Sequence, residues 1–133
     1  MKILIAEDDF ASRKFIINHM SKFGECDGTV DGQEAVEAYV LADEDEEPYD
    51  LICLDVMMPE MGGIETLEKI RAKENLEDIP VIMLTATVDK DVIKQSIHLG
   101  VTEYLKKPFL PKELLERVSK KLEENERHLE TVL

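Results

Sequence analysis

The chain has 133 residues, room for one domain with a buried core and too little for two of ordinary size. Its 30 acids against 16 bases give a formal net charge of -14, which excludes a surface that grips phosphate backbones by counterion release, so no direct nucleic-acid binding is expected. No apolar run approaches the ~20 residues of a membrane span, no secretory leader follows Met1, and Cys26 and Cys53 stand apart without metal or redox spacing; a reduced, cytoplasmic protein with no membrane insertion is expected.

Lys2 to Ala6 reads as a first strand that ends on Glu7-Asp8-Asp9. Phe15, Ile16, Met20 and Phe23 then fall at helical spacing, with Gly24 placed as a left-handed cap. A weak strand from Cys26 to Val30 precedes Asp31, which opens a second helix carrying Ala35, Val36 and Tyr39. The acidic run Asp43-Glu44-Asp45-Glu46-Glu47, ending at Pro48, is expected to be a solvated loop. Tyr49 to Val56 reads as a strand buried on both faces, with Asp55 at its mouth. Ile64, Leu67, Ile70 and the stem of Arg71 mark a third helix, and Pro80 to Thr85 a fourth strand. A fourth helix opens at Asp89, carries Val92, Ile93 and Ile97, and closes at Gly100. Glu103 to Lys106 forms the fifth strand, Lys107-Pro108 follows it, and a long last helix covers about residues 111–130. Strands alternating with helices predict an α/β fold with a parallel sheet covered on both faces.

In such a sheet, ligands collect beyond the carboxyl ends of the strands. Glu7, Asp8 and Asp9 stand there after the first strand, Asp55 after the third, Thr85 after the fourth and Lys107 after the fifth. Carboxylates that close repel one another unless a hard divalent cation and the lysine neutralise them, and magnesium suits oxygen ligands while keeping waters. The group reads as a phosphoryl-transfer centre: Asp55 is the nucleophile, and Thr85 and Lys107 hold the phosphoryl oxygens.

The segments Ile3-Leu4-Ile5-Ala6-Glu7-Asp8, Asp55-Val56-Met57-Met58-Pro59-Glu60-Met61-Gly62-Gly63, Leu84-Thr85-Ala86 and Tyr104-Leu105-Lys106-Lys107-Pro108-Phe109 together resemble the receiver domain of two-component response regulators, over nearly the whole chain. The resemblance implies a five-stranded parallel sheet of order 2-1-3-4-5, flavodoxin-like and doubly wound, with a cis Lys107–Pro108 peptide. It implies phosphoryl transfer to Asp55 from a sensor histidine kinase or a histidine phosphotransfer protein. It further implies Mg2+ (or Mn2+) held by Asp8 directly, by Glu7 through water, by Asp55 and by the backbone carbonyl of Met57. Arg13 lies five residues after Asp8, where the family has a basic residue, and this selects Glu7 and Asp8 for the pocket and leaves Asp9 as a helix cap. The implied switch moves Thr85 toward the phosphoryl group and turns Tyr104 inward, altering the face of the fourth helix, fifth strand and fifth helix for a downstream protein target.

Met57 and Thr87 lie two residues beyond Asp55 and Thr85; neither side chain can hold an attacking water in line, so the acyl phosphate is expected to hydrolyse slowly. Leu115, Val118, Leu122, Asn125, Leu129 and Val132 recur at spacings of three and four, a short coiled-coil seam that offers a homodimer through the last helix. His19, His98 and His128 lack metal-ligand spacing. The expectation is a single receiver domain over residues 1–133, acting as a switch. A magnesium-dependent phosphohydrolase is the alternative, but it would place an acid where Met57 stands. A phosphate-independent docking receiver is another, but it would have lost part of the pocket.

Overall fold

A computed structural model describes residues 1–73, 79–86, 89–101 and 103–132, with side chains described through residue 124 of the last helix. Strands β1 (Lys2–Ala6), β2 (Glu25–Thr29), β3 (Leu51–Asp55), β4 (Val81–Thr85) and β5 (Glu103–Lys106) alternate with helices α1 (Phe10–Met20), α2 (Gly32–Glu44), α3 (Gly63–Arg71), α4 (Lys90–His98) and α5 (Pro111–Val132). All pairings are parallel, in the order β2-β1-β3-β4-β5. The predicted fold class is therefore the observed one.

Alternation of side chains along the strands divides the core in two. Leu4, Ala6, Ile52, Leu54 and Met83 pack with Ala35, Val36 and Tyr39 of α2 and Leu67 and Ile70 of α3. On the opposite face Ile3, Ile5, Cys53, Ile82 and Leu84 meet Ile16 and Met20 of α1 and Leu114 and Val118 of α5. β3 and β4 are buried at every residue, which is why they read as continuous apolar runs. β2 pairs with β1 alone; an edge strand tolerates the polar sequence Glu25-Cys26-Asp27-Gly28-Thr29 that made it faint.

Asp9, Asp31 and Asp89 cap α1, α2 and α4, accepting from the backbone N–H of Ser12, Glu34 and Asp91, each at 2.8 Å. Gly100 follows α4 with φ 85°, the left-handed cap expected of it.

Gly24 departs from expectation: it has no positive φ, and it is small because the backbone of Met1 packs against it while Glu25 N–H donates to the Met1 carbonyl at 3.0 Å. The acidic run is only half a loop. α2 continues through Glu44, and Glu46 takes the left-handed position (φ 59°) so that Glu47 N–H reaches the Ala42 carbonyl at 2.9 Å and Glu46 N–H that of Asp43 at 3.1 Å. β2 starts and ends one residue earlier than read. β3 is shorter than Tyr49–Val56, since Tyr49 serves as a buried side chain whose hydroxyl donates to Asp27 Oδ2 at 2.7 Å. β4 begins after Pro80, which lacks an N–H for the ladder.

α4 is seated differently from its apolar pattern. Ser96, fully buried with its hydroxyl donating to the Val92 carbonyl at 2.9 Å, lets the helix approach, while Ile97 remains 59 % exposed. At its far end Arg71 ties the helices together, donating to the carbonyls of Leu99 and Ile79, both at 2.8 Å. In α5 the buried pair is Leu114 and Val118, with Leu115 half-buried beside them, so the predicted seam begins off the core-facing stripe. The side chains of Asn125, His128, Leu129 and Val132, and all of Thr87, lie outside the described residues. Among the described residues no helix is long and apolar enough to cross a membrane.

Candidate functional site

The site forms where the sheet gives out. Lys107 N–H donates to the Thr85 carbonyl at 2.8 Å, Val56 N–H to that of Leu84 at 3.1 Å and Glu7 N–H to that of Thr29 at 3.0 Å. The ladder thus carries past the strand ends, and the side chains of Glu7, Asp55 and Lys107 project from fixed backbone. The Lys107–Pro108 peptide is cis.

Lys107 Nζ lies 2.7 Å from Glu7 Oε2 and 2.8 Å from Asp55 Oδ2, bridging two carboxylates that are 1 % and 4 % exposed. Asp55 Oδ1 accepts from Met57 N–H at 3.1 Å. Asp8 is exposed, and its carboxylate completes a group in which one oxygen each from Glu7, Asp8 and Asp55 lie within 4.8 Å of one another. Asp9 stands apart as the cap of α1, although its N–H donates to Glu7 Oε1 at 3.3 Å.

The electrostatics follow from crowding. Burial, and then the hydrogen bond and charge of Asp55, push the Glu7 carboxyl up to about 7 against the opposing pull of Lys107. Burial alone would depress the Lys107 ammonium, but its bonds to Asp55 and Glu7 outweigh that and hold it above its ordinary value. Three carboxylates, two of them buried and that of Asp8 exposed, share one ammonium, which leaves an anionic surplus at the end of the sheet. An all-oxygen donor set of this charge fits a hard cation such as Mg2+ or Mn2+ and offers nothing to a thiophilic metal.

Thr85 is 4 % exposed, and strand alternation sets it with Met83 on the face that packs on α2 and α3. In the β4–β5 register Met83 pairs with Tyr104 and Thr85 with Lys106, which makes Thr85 and Tyr104 diagonal neighbours on that face. Tyr104 is half-buried, and its hydroxyl is buried with no hydrogen-bond partner among the described residues. An ordinary edge-strand tyrosine would keep that hydroxyl in water. Met57 is 66 % exposed at the mouth of the site. Beside Lys107 a cavity of about 490 Å3 opens between Ala11, Ser12 and Phe15 of α1 and Pro108 and Phe109.

Two features escaped the reading of the sequence. Arg13, used there only as a spacing marker, reaches over the turn after β1 and donates to backbone carbonyls of the acidic residues. Glu103, 3 % exposed, is held by Arg117 Nη1 at 2.7 Å and Lys120 Nζ at 2.9 Å, fastening β5 to α5. An acid opening an apolar strand was the one available hint of the second.

Known proteins agree with this geometry. Residues 3–119 match the response regulator receiver domain. A chemotaxis protein CheY homolog of Campylobacter jejuni is 36 % identical over 118 residues, 89 % of this chain and 89 % of the relative. The chemotaxis protein CheY1 of Helicobacter pylori strain J99 is 34 % identical over 118 residues, 89 % of this chain and 94 % of that protein. Among solved structures, the N-terminal domain of an uncharacterized protein from Wolinella succinogenes superposes with TM-score 0.82 at 31 % identity, covering 99 % of this chain and 98 % of the other. The chain in a CheX–CheY–BeF3–Mg2+ complex from Borrelia burgdorferi does so with TM-score 0.79 at 26 % identity, covering 90 % and 87 %. With its sheet order, its acidic pocket and these matches, the chain belongs to the response regulator receiver domain family.

Proposed function

We propose that the protein is a phosphoacceptor switch in two-component signalling, a single receiver domain that takes a phosphoryl group on Asp55 from the phosphohistidine of a sensor histidine kinase or a phosphotransfer protein. A carboxylate oxygen of Asp55 attacks phosphorus, the phosphorus–nitrogen bond of the donor breaks, and the electron pair leaves on the imidazole. The observation that carries the reading is Lys107 bridging Glu7 and Asp55 with Asp8 alongside, an arrangement short of positive charge and open to solvent. Asp8, Asp55 and the carbonyl of Met57 would hold Mg2+, with Glu7 acting through water; the grouping of Glu7, Asp8 and Asp55 carboxylate oxygens supports this. When bound, the metal supplies positive charge opposite the phosphoryl oxygens.

In the phosphorylated form, Lys107 exchanges one carboxylate for a phosphoryl oxygen and Thr85 donates its hydroxyl to another. That draws Thr85 from its place beside Tyr104, whose unpartnered hydroxyl gains from any rotation that finds an acceptor. The α4–β5–α5 face then changes for a downstream protein. The Borrelia complex, which holds BeF3 and Mg2+, supports the same chemistry by relationship. A phosphohydrolase is disfavoured, since exposed Met57 stands where such an enzyme needs an acid.

Intact mass after incubation with Mg2+ and acetyl phosphate tests the proposal. One magnesium-dependent phosphoryl adduct is expected, absent from Asp55→Ala and slow to decay because Met57 cannot orient water. An adduct of equal size on Asp55→Ala, or donor consumed with no adduct at any time, would overturn it.

A further inference from the structure

Among the three acids of the pocket, Glu7 and Asp55 are both steered by Lys107, but the carboxylate of Asp8 has no hydrogen-bond partner among the described residues. Its direction is therefore set by its backbone. That backbone is held from one side by a single group: Arg13 Nη1 donates to the Glu7 carbonyl at 2.8 Å and to the Asp8 carbonyl at 3.3 Å. The guanidinium also lies 5.6 Å from the ring centre of Phe10, at the start of α1. One terminal nitrogen serves both successive carbonyls, and the guanidinium plane fixes the directions of its two N–H bonds, which a rotating ammonium does not.

The route of the Arg13 side chain has its own requirement. Its stem crosses β2 at Gly28, where a Cβ would lie 3.3 Å from Arg13 Cδ and 3.5 Å from Cγ, and 2.9 Å from Ile17 Cδ1. Glycine weakens a strand interior, and its presence in a five-residue edge strand marks a close approach. Here the approaching groups are Ile17 Cδ1, the nearest, and the Arg13 stem beside it. Gly28 has no positive φ that would otherwise demand glycine.

We infer that Arg13 is a positioning residue for the metal pocket, aiming Asp8 by gripping the turn after β1, and that Gly28 is the slot through which it reaches that turn. The inference rests on the reading of Glu7, Asp8 and Asp55 as a metal site. Outer-sphere groups that orient a ligand are worth about ten-fold or more in metal affinity. Arg13→Met loses both carbonyl contacts and the charge. Arg13→Lys keeps the charge and loses the fixed N–H directions. Gly28→Val alters no charge and touches no acid, yet puts methyl groups in the path of the stem.

The test is Mn2+ binding followed by electron paramagnetic resonance on the full chain, beside thermal melting without metal. Arg13→Met is expected to weaken binding roughly ten-fold, with Arg13→Lys in between. Gly28→Val should weaken binding like Arg13→Met, and the double variant should lose little more than either alone, because both changes remove one interaction. Wild-type affinity in folded Arg13→Met overturns the inference, as does losses that add in the double variant. If Arg13→Met lowers the melting temperature and leaves Mn2+ affinity unchanged, Arg13 is a brace of α1 only and the inference fails. Asp8→Asn keeps the two readings apart: affinity lost there but kept in Arg13→Met defeats this inference alone, whereas affinity kept in Asp8→Asn defeats the metal-site reading itself.

Discussion

At the ends of β1, β3 and β5, the ammonium of Lys107 bridges two carboxylates with that of Asp8 beside them, whereas at the seam of β5 and α5 two cations, Arg117 and Lys120, close on the one carboxylate of Glu103. Burial presses on both sites in the same direction, favouring the neutral acid. In the pocket it prevails, helped by the neighbouring Asp55, and Glu7 rises to about 7. At the seam the hydrogen bonds from Lys120 and Arg117 outweigh it and hold Glu103 below its ordinary value. The local balance of charge thus distinguishes a pocket with surplus negative charge from a seam whose charges are matched. The first is the pocket on which the proposed phosphoryl transfer rests; the second fixes α5 on β5 beside Tyr104.

The contrast is broken most forcefully through Lys107. Lys107→Met leaves Glu7 and Asp55 buried without their cation and should destabilise the metal-free protein by roughly 2–3 kcal/mol in urea unfolding, with part of that recovered in Mg2+. Unchanged stability would mean that the two carboxylates are not held charged against each other. Glu103→Gln should cost less, about 1 kcal/mol, because Arg117 and Lys120 are 45 % and 59 % exposed and regain water; the same unfolding assay should show Mg2+ affinity untouched.

pH should separate the two sites by sign. The Glu7 pKa is raised on folding, so its contribution without metal is complete below its ordinary 4.5 and is lost as pH climbs through about 7. The Glu103 pKa is lowered, so its contribution is present above its ordinary 4.5 and is lost as pH falls through its folded value. Melting curves across pH should show a shallow loss as pH rises from 4.5 to about 7 that Glu7→Gln removes, and a loss below 4.5 that Glu103→Gln removes. Exchange of the two effects between the variants would refute the comparison.

The sequence disclosed the pocket better than the seam for a physical reason. Strands buried on both faces must be apolar throughout, so the polar residue that ends each run is conspicuous, and Asp55 and Thr85 are of that kind. The caps Asp9, Asp31 and Asp89 were legible because they act within three residues. Glu103 with Arg117 and Lys120 was not, since its partners lie a helix away and charged residues along α5 look like a solvated face. Gly24 and Glu46 misled for a related reason: a left-handed cap is a backbone requirement that glycine usually but not always meets, and here Gly24 answers to Met1 while Glu46 takes the left-handed place. Leu114 and Leu115 are adjacent, and only the pitch of α5 on the sheet decides which is buried. Arg13 was noticed by position, but its grip on two carbonyls, and the passage of its stem beside Gly28, are tertiary contacts that no helical periodicity reports.

The most direct test of the anion-surplus account is the melting temperature at pH 8 as Mg2+ is added, in the wild-type protein, in Asp8→Asn and in Glu103→Gln. Saturable stabilisation of the wild type and of Glu103→Gln, with little or none in Asp8→Asn, is the predicted result. A wild-type melting temperature indifferent to Mg2+, or an equal rise in Asp8→Asn, would contradict it.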